Sequence, residues 1–532
     1  MSALSPHLVI APIVLPLAAA ALVVMIEQRA LRVALSCAAV LGLLLLSFTL
    51  LIGAANADAA IVYRLGDWPA PFAIVLVLDR LSAMMVALAA TLAMATLIFS
   101  LARWDQAGPR FHALFLLLLA GLNGAFLTGD LFNLFVFFEV LLAASYGLVL
   151  HGSGAPRVKA GLHYIAVNLA ASSLFLIGVT VIYGITGTLN MADLAARVPT
   201  LGGDQRALFE VGCAVLGVAF LIKAGAWPLG FWLPPTYSAA SAPAAAMFAI
   251  MTKVGVYAII RATSLFFGPD AGQIGAIANP ILLTGGVLTI AFSVIGLLAA
   301  RSFSRVAGFS VLTSSGAVLA VMGAGGQQAL SGALYYMVSS TLAVGAFFLL
   351  IELLNRARGT TAPPIGAPVF DDEYRDPYED GAPSEEVGVI IPAAIALISG
   401  GFIMCALLLA GLPPLSGFIG KFAMMKGLLE AQAAFAWILV ALLTLSSFAA
   451  LAALLRLGVE AIWASAEATI PRVRGVEFAA IAGLLLACVV LTTHGEWVFI
   501  FTDGTVDWLA RSQDYVSSVL PEASPPPQGP PS

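Results

Sequence analysis

Apolar residues run through this chain in long unbroken blocks, and polar residues are confined to short intervals between them. A membrane span needs about 20 consecutive apolar residues. Fourteen stretches meet or exceed that pattern, over 8–26, 31–53, 79–102, 111–129, 131–150, 160–184, 207–238, 240–263, 277–300, 305–325, 329–355, 388–430, 434–457 and 474–496. The seventh and the twelfth are too long for one span and are punctuated internally. The seventh carries Gly225, Pro228, Gly230, Pro234 and Pro235; the twelfth carries Gly411, Pro413, Pro414 and Gly417. Proline removes a helix donor and clashes with the preceding turn, so each of these is expected to be a broken helix.

The two breaks lie five spans apart. Grouping spans 4–8 and 9–13 puts a break at the same position of each group, and an odd number of spans gives the groups opposite orientation. That predicts an all-α polytopic membrane protein with two inverted five-helix repeats and an ion route near the breaks. The expected organisation is residues 1–102 for the first three spans, 103–263 and 277–457 for the repeats, 474–496 for the last span and 497–532 for a C-terminal tail. An acidic loop, 359–388, interrupts the second repeat, with Asp371, Asp372, Glu373, Asp376, Glu379, Asp380, Glu385 and Glu386. It reads as a solvated cytoplasmic segment, and the proline-rich run from Pro521 as a disordered tail.

Composition narrows the class further. Of the 532 residues, 61% are hydrophobic and 10% are charged, which excludes a water-soluble globular enzyme. A net charge of −5 with scattered basic residues excludes nucleic-acid binding. Basic residues also set orientation. Fourteen of them (Arg29, Arg32, Arg103, Arg110, Arg157, Lys159, Arg301, Arg305, Arg356, Arg358, Arg375, Arg456, Arg472 and Arg474) fall on one side. Six (Arg64, Arg80, Arg197, Arg206, Arg261 and Arg511) fall on the other. By the positive-inside rule the first side is cytoplasmic, and both termini face away from it. Cys37, Cys213, Cys405 and Cys488 all lie in apolar runs without CxxC or His/Cys spacing, so neither a metal nor a redox cofactor is expected.

Four charges lie inside the apolar spans: Glu139 in the fifth, Lys223 just before the first break, Lys253 in the eighth and Lys421 just after the second break. Each costs about 2.5–3.5 kcal/mol at a helix centre. One Glu–Lys pair is explicable as a fold-specifying contact. Three lysines facing one glutamate are not, because they cannot all be neutralised. Amines that desolvation favours neutral and a nearby carboxylate favours charged are the parts of a proton relay. Asp130 and Asp79 at helix starts read chiefly as caps. His163 reads as a solvated interfacial histidine with a secondary claim to feed protons. Lys426 and Glu430, four apart, read as a helix-surface pair. Ser339 and Ser340, with Thr313, Ser314, Ser315 and Thr341, form polar stripes able to hold water or to cap carbonyls.

The stretch Gly129-Asp130-Leu131-Phe132-Asn133-Leu134-Phe135-Val136-Phe137-Phe138-Glu139 resembles the fifth-helix signature of the D subunit of Mrp-type (Pha/Mnh) cation/proton antiporters. Leu221–Pro228 and Trp232–Tyr237 resemble that family's broken seventh helix, Thr252–Tyr257 its eighth, and Ala410–Phe422 its twelfth. The likeness covers about 75–500. It implies a fourteen-helix fold with inverted repeats, a glutamate paired with the lysine of the seventh helix, and a hydrated axis. By motif, the proton-translocating residues become Glu139, Lys223, Lys253 and Lys421, in an assembly of six or seven different membrane subunits that carries Na⁺ or K⁺ against protons. One departure stands out. Many relatives carry a histidine or lysine in the eleventh helix, where this chain has Val338-Ser339-Ser340, so transfer between Lys253 and Lys421 is expected to rely on water and hydroxyls. The related alternative is a redox-driven pumping subunit of complex I or a membrane hydrogenase; a scaffold whose charges only set packing is the third reading.

Overall fold

The computed structural model describes residues 5–108, 110–152, 154–267, 273–357, 392–432, 435–460 and 473–520. The acidic loop 359–388 and the tail from Pro521 lie outside them. The described chain is almost entirely helical. It opens with α1 (Ala11–Met25) and α2 (Arg29–Ala55), then a hairpin of β1 (Ile61–Arg64) and β2 (Val75–Leu78), antiparallel with Ile61 opposite Leu78. There follow α3 (Arg80–Ser100), α4 (Phe111–Leu127), α5 (Leu131–Val149), α6 (Ala155–Thr186), the short α7 (Met191–Arg197), α8 (Gly203–Ala224), α9 (Leu233–Ala239) and α10 (Ala242–Leu265). The rest comprises α11 (Gln273–Ala299), α12 (Phe303–Ala324), α13 (Gln327–Ala357), α14 (Pro392–Ala410), α15 (Ser416–Glu430), α16 (Ala436–Gly458), α17 (Gly475–Thr493), α18 (Gly495–Ala510) and α19 (Ser512–Val519).

Among the described residues, eleven helices are long and apolar enough to cross a membrane, and three shorter apolar ones cover Ala11–Met25, Phe111–Leu127 and Ile395–Ala410. This is a multi-pass membrane protein. Its inner helices are enclosed on every side: α10 is buried along its whole apolar window, and α13 nearly so. The outer helices α2, α6 and α16 leave large side chains such as Leu45, Leu162 and Phe448 exposed, as a lipid-facing surface requires.

Both expected breaks are present, and they share one geometry. α8 ends at Gly225 in the left-handed region (φ +73°), with Gly225 N donating to Ile222 O and Ala226 N to Leu221 O. α14 ends at Gly411 (φ +70°), with Gly411 N donating to Leu408 O and Leu412 N to Leu407 O. This is the same glycine-capped helix end twice, satisfying the last carbonyls in a place where lipid offers no partner. α9 starts on Leu233-Pro234-Pro235 and α15 on Ser416-Gly417. A Cβ on Gly417 would collide with the carbonyl oxygen of Leu408, so the glycine lets the two half-helices close on each other.

Arginines hold one end of the bundle together by donating to helix-terminal carbonyls: Arg157 to Ala239 O (3.0 Å), Arg456 to Leu298 O (3.0 Å) and Arg474 to Ala102 O (2.5 Å). Cations belong at helix C-termini. These three belong to the larger of the two basic sets seen along the chain.

The described chain goes beyond the expectation after residue 496. Residues 495–510 and 512–519 are helical, with Thr502, Thr505, Val506 and Leu509 buried on one face of α18. These helices are amphipathic and contain Asp503, Asp507 and Asp514, so no continuous apolar run announces them.

Candidate functional site

The first break presents Lys223 from the last turn of α8. Its Nζ donates to Asn168 Oδ1 on α6 (3.1 Å) and stands 5.8 Å from the centre of the Phe138 ring. Glu139, next to Phe138 on α5, accepts a hydrogen bond from Ser172 Oγ, also on α6. Among the described residues no ion pair within 4.0 Å joins Glu139 to Lys223, so the structure holds the two apart. The physical reason is that α6 supplies a polar partner to each. Asn168 and Ser172 stand four residues apart, one helical turn, on the same face. Beside Lys223 is a cavity with about 20 Å³ open to water centres, lined by Tyr164, Asn168, Trp232, Tyr237 and Met251. That is room for about one water.

Lys253 lies on α10, where Gly255 presses against the backbone of Lys223 and Ala224. The chain thus brings the first two lysines onto contacting helices. Lys253 Nζ donates to Ser314 Oγ and Ser315 Oγ on α12, both at 3.0 Å. Ser314 Oγ in turn shares a 2.6 Å hydrogen bond with Ser340 Oγ on α13. Next to Ser340 is a second cavity, with about 10 Å³ open to water centres, bounded by Ser310, Thr313, Tyr336 and Ser446. It too has room for at most about one water.

Ser446 is already a neighbour of Lys421. The Lys421 amine donates to Ser447 Oγ (2.8 Å), with longer approaches to Ala410 O (3.4 Å) and Ser446 Oγ (3.5 Å), and stands 5.8 Å from the Tyr336 ring. Its stem passes Gly411, where a Cβ would lie 2.9 Å from Lys421 Cδ. Ser339 does not join this line directly; its hydroxyl donates to Ser416 at the start of α15 (2.7 Å) and ties α13 to the second break.

The remaining candidates fall elsewhere. Asp130 caps α5 through Asn133 N (2.8 Å), and His163 is exposed, its Nδ1 3.0 Å from Lys159 O. Lys426 and Glu430 form the exposed 3.6 Å pair their spacing suggested. Asp79 does cap α3 through Ser82 N (2.9 Å), but it also forms a buried bidentate pair with Arg261, at 2.5 and 2.9 Å. Arg261, which the sequence places among the outer-side charges, is only 3% exposed and also donates to Tyr257 Oη (3.2 Å). Asn168, Ser172, Ser446 and Ser447 do not stand out in the sequence. The available signal is an amide and adjacent hydroxyls inside otherwise apolar spans.

The fold and site define a class: a polytopic membrane protein in which two similarly broken helices and a hydroxyl-lined interior hold three buried lysines. The profile of the family described as NADH:quinone oxidoreductase/Mrp antiporter, TM, matches residues 128–364. The D-type subunit of a K(+)/H(+) antiporter from Rhizobium meliloti (strain 1021), whose name carries the qualifier "Probable", is 53% identical, with 97% of each chain covered. The D-type subunit of a Na(+)/H(+) antiporter from Bacillus subtilis (strain 168) is 32% identical over 97% of this chain and 100% of its own. In fold, the chain is similar to the Mrp complex from Dietzia sp. DQ12-45-1b (TM-score 0.80, 24% identity, 97% and 99% covered). It is likewise similar to respiratory complex I from Thermus thermophilus (TM-score 0.75, 24% identity, 95% and 99% covered). The chain belongs to the family of D subunits of Mrp-type monovalent cation/proton antiporters.

Proposed function

We propose that this chain is the proton-translocating subunit of a multi-subunit Na⁺ or K⁺/proton antiporter in the bacterial cell membrane, assembled with five or six other kinds of membrane subunit. The observation that carries the reading is the line from Lys253 through Ser314 and Ser340, across a one-water cavity, to Ser446 and Lys421. It supplies hydroxyls where relatives of this family are expected to carry an ionisable side chain in the eleventh helix. In this reading Glu139 and Lys223 form the input end and Lys421 the output end. Each lysine passes a proton when its neighbours stop favouring the ammonium form, and the cavities admit the water that receives it.

Eleven long and three short apolar helices among the described residues support a reading of fourteen spans. The matched glycine caps at Gly225 and Gly411 support two inverted repeats over spans 4–8 and 9–13. Arginines bound to carbonyls at one end support a cytoplasmic assignment for that face, which puts both termini outside. The buried axis offers three amines and one carboxylate, a set suited to protons and poor for a dehydrated cation; the cation route is assigned to partner subunits. K⁺ is the favoured ion, because the relative at 53% identity carries K(+)/H(+) in its name and those at 34% and 32% carry Na(+)/H(+). Those antiporter names also favour this reading over a redox-driven pump.

The test is cation-dependent dissipation of ΔpH in everted vesicles from antiporter-deficient cells expressing the complete set of subunits. Wild type is expected to respond to K⁺, and Lys223→Ala to respond to neither cation with all the subunits still present. An assembled Lys223→Ala complex with wild-type antiport sinks the relay.

A further inference from the structure

We infer that α6 acts as a two-point clamp on the Glu139–Lys223 couple, with Asn168 and Ser172 as positioning residues that hold the amine and the carboxylate apart. The inference rests on the reading that Lys223 carries protons, and it adds a control over when it does so.

The side chains themselves point to it. Asn168 is 1% exposed, and its Nδ2 donates to Tyr164 O (2.8 Å), which fixes the amide so that Oδ1 faces Lys223. The flipped amide would set NH₂ against the amine and oxygen against a carbonyl, so the hydrogen-bond pattern selects one orientation. Ser172 is equally selective. The other described hydroxyls of α6 borne by serine or threonine bond back to the carbonyl four residues earlier: Ser173 to Leu169, Thr180 to Leu176 and Thr186 to Ile182. That is the usual resting place of a helix hydroxyl in an apolar environment. Ser172 leaves it and reaches across to Glu139 on α5.

The clamp also has a rigid base. α6 is packed tightly on α8 at Gly178, where a Cβ would meet Leu216 N at 2.9 Å and Gly212 O at 3.0 Å. Asn168 and Lys223 therefore move as parts of one body, while the Ser172–Glu139 bond is the tie to α5. A small displacement of α5 along α6 opens the Ser172–Glu139 bond while Lys223 stays held by Asn168, and the ammonium keeps further N–H donors for the approaching carboxylate. The couple then has two arrangements, bridged by α6 or directly paired. The titratable groups nearest the couple are Glu139 and Tyr146 on α5, Tyr164 on α6, Tyr237 on α9 and Lys253 on α10. Tyr257 and Arg261, further along α10, are engaged with Phe126 O and Asp79. Tyr183 on α6 and Glu210 and Cys213 on α8 lie more than two helical turns from Ser172 and Lys223 along their own helices, and α11 contributes none. Arg157, Lys159 and His163 lie in the first turns of α6, at the arginine-rich end.

The experiment uses the complete complex in everted vesicles. Ser172→Ala is expected to slow antiport about tenfold, the scale of one hydrogen bond to a charged group, and Ser172→Thr to restore it. Asn168→Asp and Asn168→Leu are expected to move the pH profile of antiport in opposite directions, alkaline for the added carboxylate and acid for the removed acceptor. Wild-type rates and an unmoved profile in the assembled Ser172→Ala and Asn168→Asp complexes overturn the clamp, and so does a Ser172→Ala defect that threonine does not repair. Should Asn168→Leu fail to assemble, the serine pair and Asn168→Asp decide the matter. Lys223→Ala separates the two levels: retained antiport there removes the underlying proton role, whereas loss there with unaltered α6 variants removes the clamp alone.

Discussion

The two broken helices end on the same glycine-capped turn but keep their lysines in different company. Lys223 has an amide on α6, and Ser172 on the next turn of that face holds the Glu139 carboxylate of α5. Lys421 has two hydroxyls and a backbone carbonyl, and none of its bonds reaches a carboxylate. The charge on Lys223 is therefore adjustable by moving Glu139, a change of Coulomb energy, whereas the charge on Lys421 is adjustable mainly by hydration. A third region completes the contrast. Asp79 and Arg261 are as deeply buried as the lysines, yet they satisfy each other with two hydrogen bonds and offer nothing to titrate. Among the described residues buried charge thus includes closed pairs, such as Asp79–Arg261, which fixes the start of α3 against α10, and Arg356–Glu477, beside a set of open amines with replaceable partners.

The largest expected effects come from removing an amine at either break. Lys223→Ala and Lys421→Ala should each lower antiport about 100-fold or more, the scale of a lost proton-transfer group, in vesicles where all the subunits are detected. Retention of antiport in Lys421→Ala alone would take the second break off the proton path. Next comes the closed pair. Asp79→Asn leaves Arg261 buried without its counter-charge, a loss of about 3–5 kcal/mol, and should be seen as a fall in the amount and thermal stability of the detergent-solubilised complex. Lys253→Ala should not show that fall, because its partners are hydroxyls able to bond elsewhere.

A smaller change sharpens the difference between the breaks. Ser447→Asp gives Lys421 the carboxylate it lacks and should slow antiport about tenfold by holding the ammonium form; an unchanged rate would mean that partner charge at the second break is irrelevant. The smallest effects are expected from Ser340→Ala and Ser446→Ala, about three- to tenfold each, on the scale of one neutral hydrogen bond in the line. If the two act in series around one water, the double variant should be little slower than the worse single one, which the same vesicle assay would show.

Much of this is readable along the chain. Pro228, Pro234 and Pro413 announce the breaks because proline cannot continue a helix, and Glu139, Lys223, Lys253 and Lys421 stand out because charge inside an apolar run is expensive. Asp130 is readable as a cap from its place before an apolar block. What escapes depends on distances that the chain does not write. Ser172 and Ser173 are adjacent and chemically identical, yet one bonds Glu139 and the other its own helix; only the rotation of α6 against α5 decides which. Arg261 looks like an outer-side charge because its partner, Asp79, is 182 residues away. α18 and α19 escape because amphipathic helices with acidic faces do not resemble membrane spans.

The central claim is that the two halves form one proton path joined at Lys253, whose helix packs on the first break and whose hydroxyl partners lead towards the second. The most direct measurement is K⁺- and Na⁺-dependent ΔpH dissipation in everted vesicles carrying the complete complex with Lys253→Ala, against wild type and with subunit content measured in the same membranes. An assembled complex without cation-linked dissipation is the predicted result. Dissipation at the wild-type rate would contradict the account, since protons would then pass between the breaks without the only buried amine that lies between them among the described residues.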